Sequence, residues 1–103
     1  MFSFIETRIF SKLLGEYLSD DEYAALQRVL IADPETGDLI RGSGGVRKIR
    51  WAVRGRGKRG GVRVIYYVKT REGVIWMLTI YAKNVAENIT AHVLRMMKEE
   101  IDG

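Results

Sequence analysis

Apolar residues in the first third of the chain recur with the spacing of amphipathic helices. One apolar stripe runs through residues 7–17, and a second follows a break in the pattern. Ser19 and Glu22 have the spacing of a capping box, which predicts the start of the second helix, and this helix should end before Pro34. The pattern therefore predicts a helix hairpin, preceded by a short strand at residues 2–5.

The second half of the chain contains three segments rich in β-branched and aromatic residues, separated by glycine-rich or charged turns. They are Val46–Val53, Val62–Lys69 and Val74–Tyr81. We expect them to form an antiparallel meander. Alternation in the third strand predicts one face with Trp76, Leu78 and Ile80 and the other with Met77, Thr79 and Tyr81. Parity also assigns Trp51 and Trp76 to the core.

A third helix is predicted near the C-terminal end, opening at Asn84 with Glu87 three residues on. It would cover the far end of the second face of the sheet. Together the elements predict an α+β fold in a single domain, residues 1–103. Its small antiparallel sheet would combine the short N-terminal strand with the three-stranded meander. The helix hairpin would lie on one face of this sheet, and the C-terminal helix would complete the fold.

Composition narrows the class of protein. A chain of 103 residues with 47% hydrophobic and 29% charged residues is typical of one globular domain. It has no cysteine, which excludes disulfides, thiolate metal sites and a cysteine nucleophile. The N-terminal residues do not resemble a secretory signal, and no apolar run approaches the ~20 residues that cross a bilayer. We therefore expect a cytoplasmic protein with no membrane contact.

Charge is concentrated in the middle of the chain. Residues 1–40 carry three basic and eight acidic side chains, and residues 72–103 carry three basic and five acidic ones. Residues 41–71 hold eleven basic side chains and no acidic one. Such a segment repels itself unless an anion binds there, so nucleic acid is the leading candidate partner. The plainer alternative is a soluble basic hairpin that binds nothing.

Familiar catalytic motifs do not account for the basic segment. Gly55, Gly57 and Gly60 form a G-x-G-x-x-G pattern, but a strand follows rather than a helix, so a dinucleotide fingerprint is excluded. The single histidine, His92, cannot form a two-histidine ribonuclease site, and the segment lacks the carboxylates of a two-metal nuclease. We predict no metal and no cofactor. Phosphodiester chemistry would have to use arginine and lysine, with tyrosine as a further candidate.

Alternation places Lys48, Arg50 and Arg63 on one predicted face of the sheet. Lys48 and Arg50 could instead be edge-strand charges that prevent unwanted sheet pairing. Because Arg63 lies on the same predicted face, we favour a role in binding or catalysis. Four further cations occupy the glycine-rich hairpin tip and are expected to dock RNA through phosphate contacts. They are Arg54, Arg56, Lys58 and Arg59.

Three stretches resemble the RelE/ParE superfamily of bacterial toxins, with the HigB-type, host-inhibition branch most similar. They are Gly44-Gly-Val-Arg-Lys-Ile-Arg50, Gly57-Lys-Arg-Gly-Gly-Val-Arg-Val-Ile-Tyr-Tyr67 and Leu78-Thr-Ile-Tyr-Ala-Lys-Asn84. The resemblance implies a RelE-like fold and a toxin of a type II toxin-antitoxin module. Its implied activity is ribosome-dependent, metal-independent cleavage of messenger RNA by 2′-hydroxyl attack. The implied partners are the ribosome, messenger RNA and a cognate antitoxin, here expected to be a HigA-type helix-turn-helix protein.

The resemblance also implies site residues. The family's paired basic residues match Lys48 and Arg50, its arginine at the start of the next strand matches Arg63, and its basic residue after the last strand matches Lys83. The chain departs from the RelE pattern in two places, at Asn84, where that branch has arginine, and near Thr90, where it has tyrosine.

These departures leave proton transfer without an assigned residue. By sheet parity, Tyr81 is a candidate RNA contact and a candidate for the missing proton-transfer group, and Tyr67 is a second candidate for proton transfer. For both tyrosines the alternative role is packing. The functional alternative is a ParE-like toxin, which shares the fold and binds DNA gyrase without nuclease chemistry.

Overall fold

The computed structural model describes residues 2–53, 61–83 and 90–102. Its elements in chain order are strand β1 (Ser3–Glu6), helices α1 (Arg8–Tyr17) and α2 (Asp20–Ala32), strands β2 (Asp38–Leu39), β3 (Arg47–Trp51), β4 (Val62–Lys69) and β5 (Val74–Ala82), and helix α3 (Ala91–Asp102). The five strands form one sheet in the order β1-β5-β4-β3-β2. None of the described helices is long and apolar enough to cross a membrane.

Helices α1 and α2 begin where side chains cap their first amide groups. The Thr7 hydroxyl accepts a hydrogen bond from the Phe10 N–H at 3.1 Å. Ser19 and Glu22 form the predicted capping box, with bonds of 2.8 and 3.1 Å between each side chain and the other's backbone N–H. The helix hairpin is therefore confirmed. The predicted start of the third helix at Asn84 lies outside the described residues.

The sheet differs from the predicted meander at both edges. β1 runs parallel to β5, with Ser3 opposite Val74, so the sheet is mixed rather than antiparallel. β2 is a two-residue strand that pairs antiparallel with β3 and is not among the predicted strands. The central meander β3-β4-β5 is antiparallel as predicted.

Two apolar clusters lie on opposite faces of the sheet. The first, beneath the helix hairpin, consists of Phe10, Leu18, Leu26, Leu30, Val62, Val64, Tyr66, Ile75, Met77 and Ile80. The second lies between the sheet and α3 and consists of Val46, Ile65, Leu78, Tyr81 and Leu94. Alternation predicts that Trp76 and Ile80 share the face beneath the helix hairpin, and for Trp76 this is wrong. Trp76 packs against the second cluster, whereas Ile80 lies in the first. A β-bulge in β5 interrupts the alternation between them.

Candidate functional site

The basic residues of β3 and β4 lie on the same face of the sheet as α3. Arg50 is directly opposite Arg63, and Lys48 is opposite Ile65, a member of the second cluster. Side chains of directly opposed residues share a face, and residues two apart in a strand do so as well. The register thus brings Lys48, Arg50 and Arg63 together on one face, which we call the basic face.

Glycine at position 61 allows β4 to begin close to the end of β3. Gly61 has φ of +72°, a left-handed conformation that side chains rarely adopt, and a Cβ there would overlap the Trp51 carbonyl oxygen. The residue also accepts a 3.4 Å hydrogen bond from the Lys83 N–H. Gly61 therefore holds the ends of three strands together just before Arg63.

The cations of the basic face differ in exposure. Arg50 is exposed, whereas Lys48 and Arg63 are half-buried. The Arg63 guanidinium donates a 3.4 Å hydrogen bond from Nη1 to the Val62 carbonyl. Among the described residues, no carboxylate lies within ion-pair distance of Lys48 or Arg50. Their charge is therefore not neutralised by the described part of the chain and is available to an anion.

Other basic residues of the same segment have structural roles. Arg47 donates hydrogen bonds to the carbonyls of Glu35 at 3.0 Å and Gly37 at 2.8 Å, and it forms a 3.7 Å ion pair with the Glu35 carboxylate. Lys69 forms ion pairs with Glu72 at 2.8 Å and Asp102 at 3.4 Å. The concentration of positive charge in the sequence therefore includes residues that tie loops and α3 to the sheet.

Tyr81 lies directly opposite Arg63 on the basic face, so Arg50, Arg63 and Tyr81 form one row across three strands. The Tyr81 side chain is only 8% exposed and packs in the second cluster. Burial raises the pKa of the Tyr81 hydroxyl, although the positive charge of Arg63 opposes the shift. The ring is too covered to stack broadly on a base.

Helix α3 is fixed to the other end of this face by polar contacts around Asp102. The Tyr67 hydroxyl donates a 3.2 Å hydrogen bond to the Asp102 carboxylate, and Lys98 forms a 3.0 Å ion pair with it. The Lys98 ammonium also lies 5.4 Å from the centre of the Tyr67 ring. Tyr67, a candidate for proton transfer, is thus engaged in holding α3.

Of the remaining predicted site residues, one lies at the end of the sheet and four lie outside the part of the chain that the structure describes. Lys83 is exposed and comes directly after β5, at the end of the sheet where Arg50 and Arg63 lie. The predicted RNA-docking residues Arg54, Arg56, Lys58 and Arg59 lie outside the described residues. Within residues 2–53, 61–83 and 90–102, no group of three acidic, histidine or cysteine side chains could hold a metal ion.

Comparisons with known proteins give an independent view of this fold. A free-state structure of E. coli toxin RelE carrying two arginine-to-alanine substitutions is similar to the chain, with a TM-score of 0.62 and 16% sequence identity. The similarity covers 94% of this chain and 96% of that chain, and it confirms the α+β fold. The family model described as the RelE toxin of the RelE/RelB toxin-antitoxin system matches residues 6–101. Because that match spans nearly the whole chain, the protein belongs to the RelE family of toxins.

Proposed function

We propose that this RelE-family toxin inhibits translation by cleaving messenger RNA on the ribosome, without a metal ion. The observation that carries the proposal is the pairing of Arg50 with Arg63 across β3 and β4, with Lys48 on the same face. Guanidinium groups form bidentate hydrogen bonds with phosphate oxygens, and an ammonium adds a compact positive charge. Three such groups on one face suit the binding of an RNA phosphate.

In the proposed reaction, the 2′-hydroxyl oxygen of the nucleotide before the cut attacks the adjacent phosphorus. The new O2′–P bond forms as the P–O5′ bond breaks, which gives a 2′,3′-cyclic phosphate and a free 5′-hydroxyl. The 2′-hydroxyl loses its proton and the leaving O5′ gains one. Negative charge builds up on the non-bridging oxygens in the transition state, where Arg50 and Arg63 would stabilise it.

The other cations have supporting roles in this proposal. Lys48 and Lys83 are the groups assigned to proton transfer, because Lys48 shares the basic face with Arg63 and Lys83 follows β5 at the end of the sheet where Arg63 lies. Arg54, Arg56, Lys58 and Arg59 would dock ribosomal or messenger RNA by phosphate contact. Tyr81 supports the row by packing beside Arg63 and presenting its edge to the RNA.

Dependence on the ribosome follows from the chemistry of the basic face. The assigned cations include no strong general base, so substrate alignment would have to come from the ribosome. We assign the toxin to the HigB-type branch on its sequence motifs. Its family implies an antitoxin partner, and we propose a HigA-type helix-turn-helix protein.

Mapping of transcript 5′ ends after brief induction tests the proposed function. We expect new 5′-hydroxyl ends inside translated reading frames, and we expect none in a reporter transcript whose ribosome-binding site and start codon have been removed. Intact messages combined with stalled replication would overturn the proposal and support the ParE-like alternative. Purified 70S complexes programmed with one message provide the direct assay, with cleavage products separated on a sequencing gel.

A further inference from the structure

Strand β5 contains one residue more than β4 in the middle of their pairing. Ile65 is opposite Thr79, whereas the next residue, Tyr66, is opposite Met77. Leu78 therefore has no partner in β4, which is the arrangement of a β-bulge. We call this feature the Leu78 bulge.

The Leu78 bulge changes which side chains of β5 reach the basic face. Met77 and Tyr81 are four residues apart, so an unbroken strand would place them on the same face. In this protein Met77 lies in the hairpin cluster and Tyr81 lies in the cluster under α3. If β5 alternated regularly through all its residues, without the bulge, it would direct Ile80 rather than Tyr81 towards the face that carries Arg63.

Thr7 forms hydrogen bonds to β5 at the Leu78 bulge through both its backbone and its side chain. Its N–H donates a 3.1 Å hydrogen bond to the Met77 carbonyl, and its hydroxyl donates a 2.7 Å hydrogen bond to the Leu78 carbonyl. The same hydroxyl oxygen caps α1 by accepting from the Phe10 N–H. Because Leu78 is fully buried, its carbonyl would otherwise need another donor in a region closed to water.

We propose that Thr7 is a positioning residue for the basic face: its hydroxyl holds the Leu78 bulge, and the bulge places Tyr81 beside Arg63. Glu6 is opposite Met77, so β1 ends where the bulge begins and delivers Thr7 to it. The catalytic consequence of this role rests on the proposed nuclease function. The structural consequence, the placement of Tyr81, does not.

The two duties of the Thr7 hydroxyl can be separated by substitution. Thr7→Asp keeps an oxygen that can cap α1 but, when ionised, has no proton to donate to Leu78. Thr7→Ser keeps both functions. Thr7→Gly is a second test variant, since glycine is tolerated at a helix N-cap and also lacks the donor. Ser19→Ala is the matched control, because it removes the cap of α2 without touching the bulge.

Tyrosine-selective ¹³C NMR measures the placement of Tyr81, with its signal assigned by loss in Tyr81→Phe. We expect Thr7→Asp and Thr7→Gly to move the Tyr81 ring signal and its titration midpoint, while Thr7→Ser and Ser19→Ala leave both unchanged. A Tyr81 signal in Thr7→Asp and Thr7→Gly identical to that of the unsubstituted protein would overturn the proposal. This readout needs no RNA and therefore remains decisive if the protein proves not to cleave messages.

Single-turnover cleavage on saturating ribosome complexes measures the catalytic consequence, at a temperature where circular dichroism shows every variant folded. Misplacement of groups at a reacting centre is costly, so Thr7→Asp should slow cleavage by about tenfold or more, and Ser19→Ala by less than about twofold. Equal losses in Thr7→Asp and Ser19→Ala would show that Thr7 acts only on stability.

Discussion

Truncation of Arg63 is the sharpest perturbation of the proposed site. Arg63 lies on a central strand between Arg50 of β3 and Tyr81 of β5, so no neighbouring residue can take its place without moving the sheet. By comparison with the loss of one transition-state hydrogen-bond donor, Arg63→Ala should slow the bound cleavage step by about 10²- to 10³-fold, or about 3 to 4 kcal/mol. Arg63→Lys keeps the charge but loses the guanidinium fork, and it should recover only part of the rate.

The stability of Arg63→Ala should change far less than its activity. The side chain is half-buried, and its hydrogen bond to the Val62 carbonyl is long at 3.4 Å. Its loss should cost about 1 kcal/mol or less of unfolding free energy. Removal of the guanidinium should also raise the pKa of Tyr81 further, because Arg63 opposes the upward shift that burial causes. That rise, followed by tyrosine NMR, checks that the two side chains interact in solution.

The assay is single-turnover cleavage of a defined message on saturating ribosome complexes, with Arg28→Ala as the matched control. Arg28 is an exposed arginine on α2, which packs on the opposite side of the sheet. We expect Arg28→Ala to cleave at the unsubstituted rate. A folded Arg63→Ala protein that does the same would remove Arg63 from the catalytic residues, and a loss confined to ribosome affinity would assign it to docking.

Further predictions concern stability, pH, partner binding and substrate. Tyr66→Phe should lower the free energy of unfolding, measured in urea, by about 2 to 3 kcal/mol. The buried Tyr66 hydroxyl donates to the Pro34 carbonyl at 2.8 Å and accepts from the buried Gly37 N–H at 2.9 Å. A decrease below about 0.5 kcal/mol would contradict these contacts. Burial would raise the pKa of Asp102, but hydrogen bonds from Lys98 and Tyr67 outweigh it and hold the pKa below the ordinary value of 3.8. The ionised Asp102 carboxylate therefore stabilises the folded protein above about pH 4, and this contribution disappears at lower pH. In thermal melts, the melting temperature of Asp102→Asn should fall less on acidification than that of the unsubstituted protein. Antitoxin association, followed by stopped-flow fluorescence, should slow as salt rises, and an indifferent rate would exclude steering by the basic face. Naked transcript should be cleaved far more slowly than the ribosome-bound message, and equal rates would refute the dependence on the ribosome.

Local signals in the sequence predicted those parts of the fold that local interactions determine. The capping box at Ser19 and Glu22 marks the start of α2, since both partners lie within four residues of each other. Alternation in β3 and β4 predicts the common face of Lys48, Arg50 and Arg63, because that part of the pairing is regular. The catalytic roles of these residues stay predictions.

Features that depend on distant residues were not predictable in the same way. β2 has only two residues, too few to show a period, and its pairing with β3 depends on a loop held by Tyr66 and Arg47. The Leu78 bulge lies in an apolar strand and has no signal in the sequence. Regular alternation from Trp76 to Ile80 therefore assigned both residues to one face, although the bulge separates them. Thr7 could be recognised as a helix cap from its position, but its bond to Leu78 joins residues 71 positions apart.

The parallel pairing of β1 with β5 has a consequence for the order in which a newly made chain can fold. β1 has to wait for Val74–Ala82 to leave the ribosomal exit tunnel before it can join the sheet, and at ~5–20 residues per second this delay lasts several seconds or more. The helix hairpin and the β3-β4 hairpin involve shorter separations and can form earlier. The edge strand β1 therefore joins the sheet only after β5, the third strand of the basic face, is available, and this delay gives an antitoxin already present in the cell time to meet the toxin as it matures.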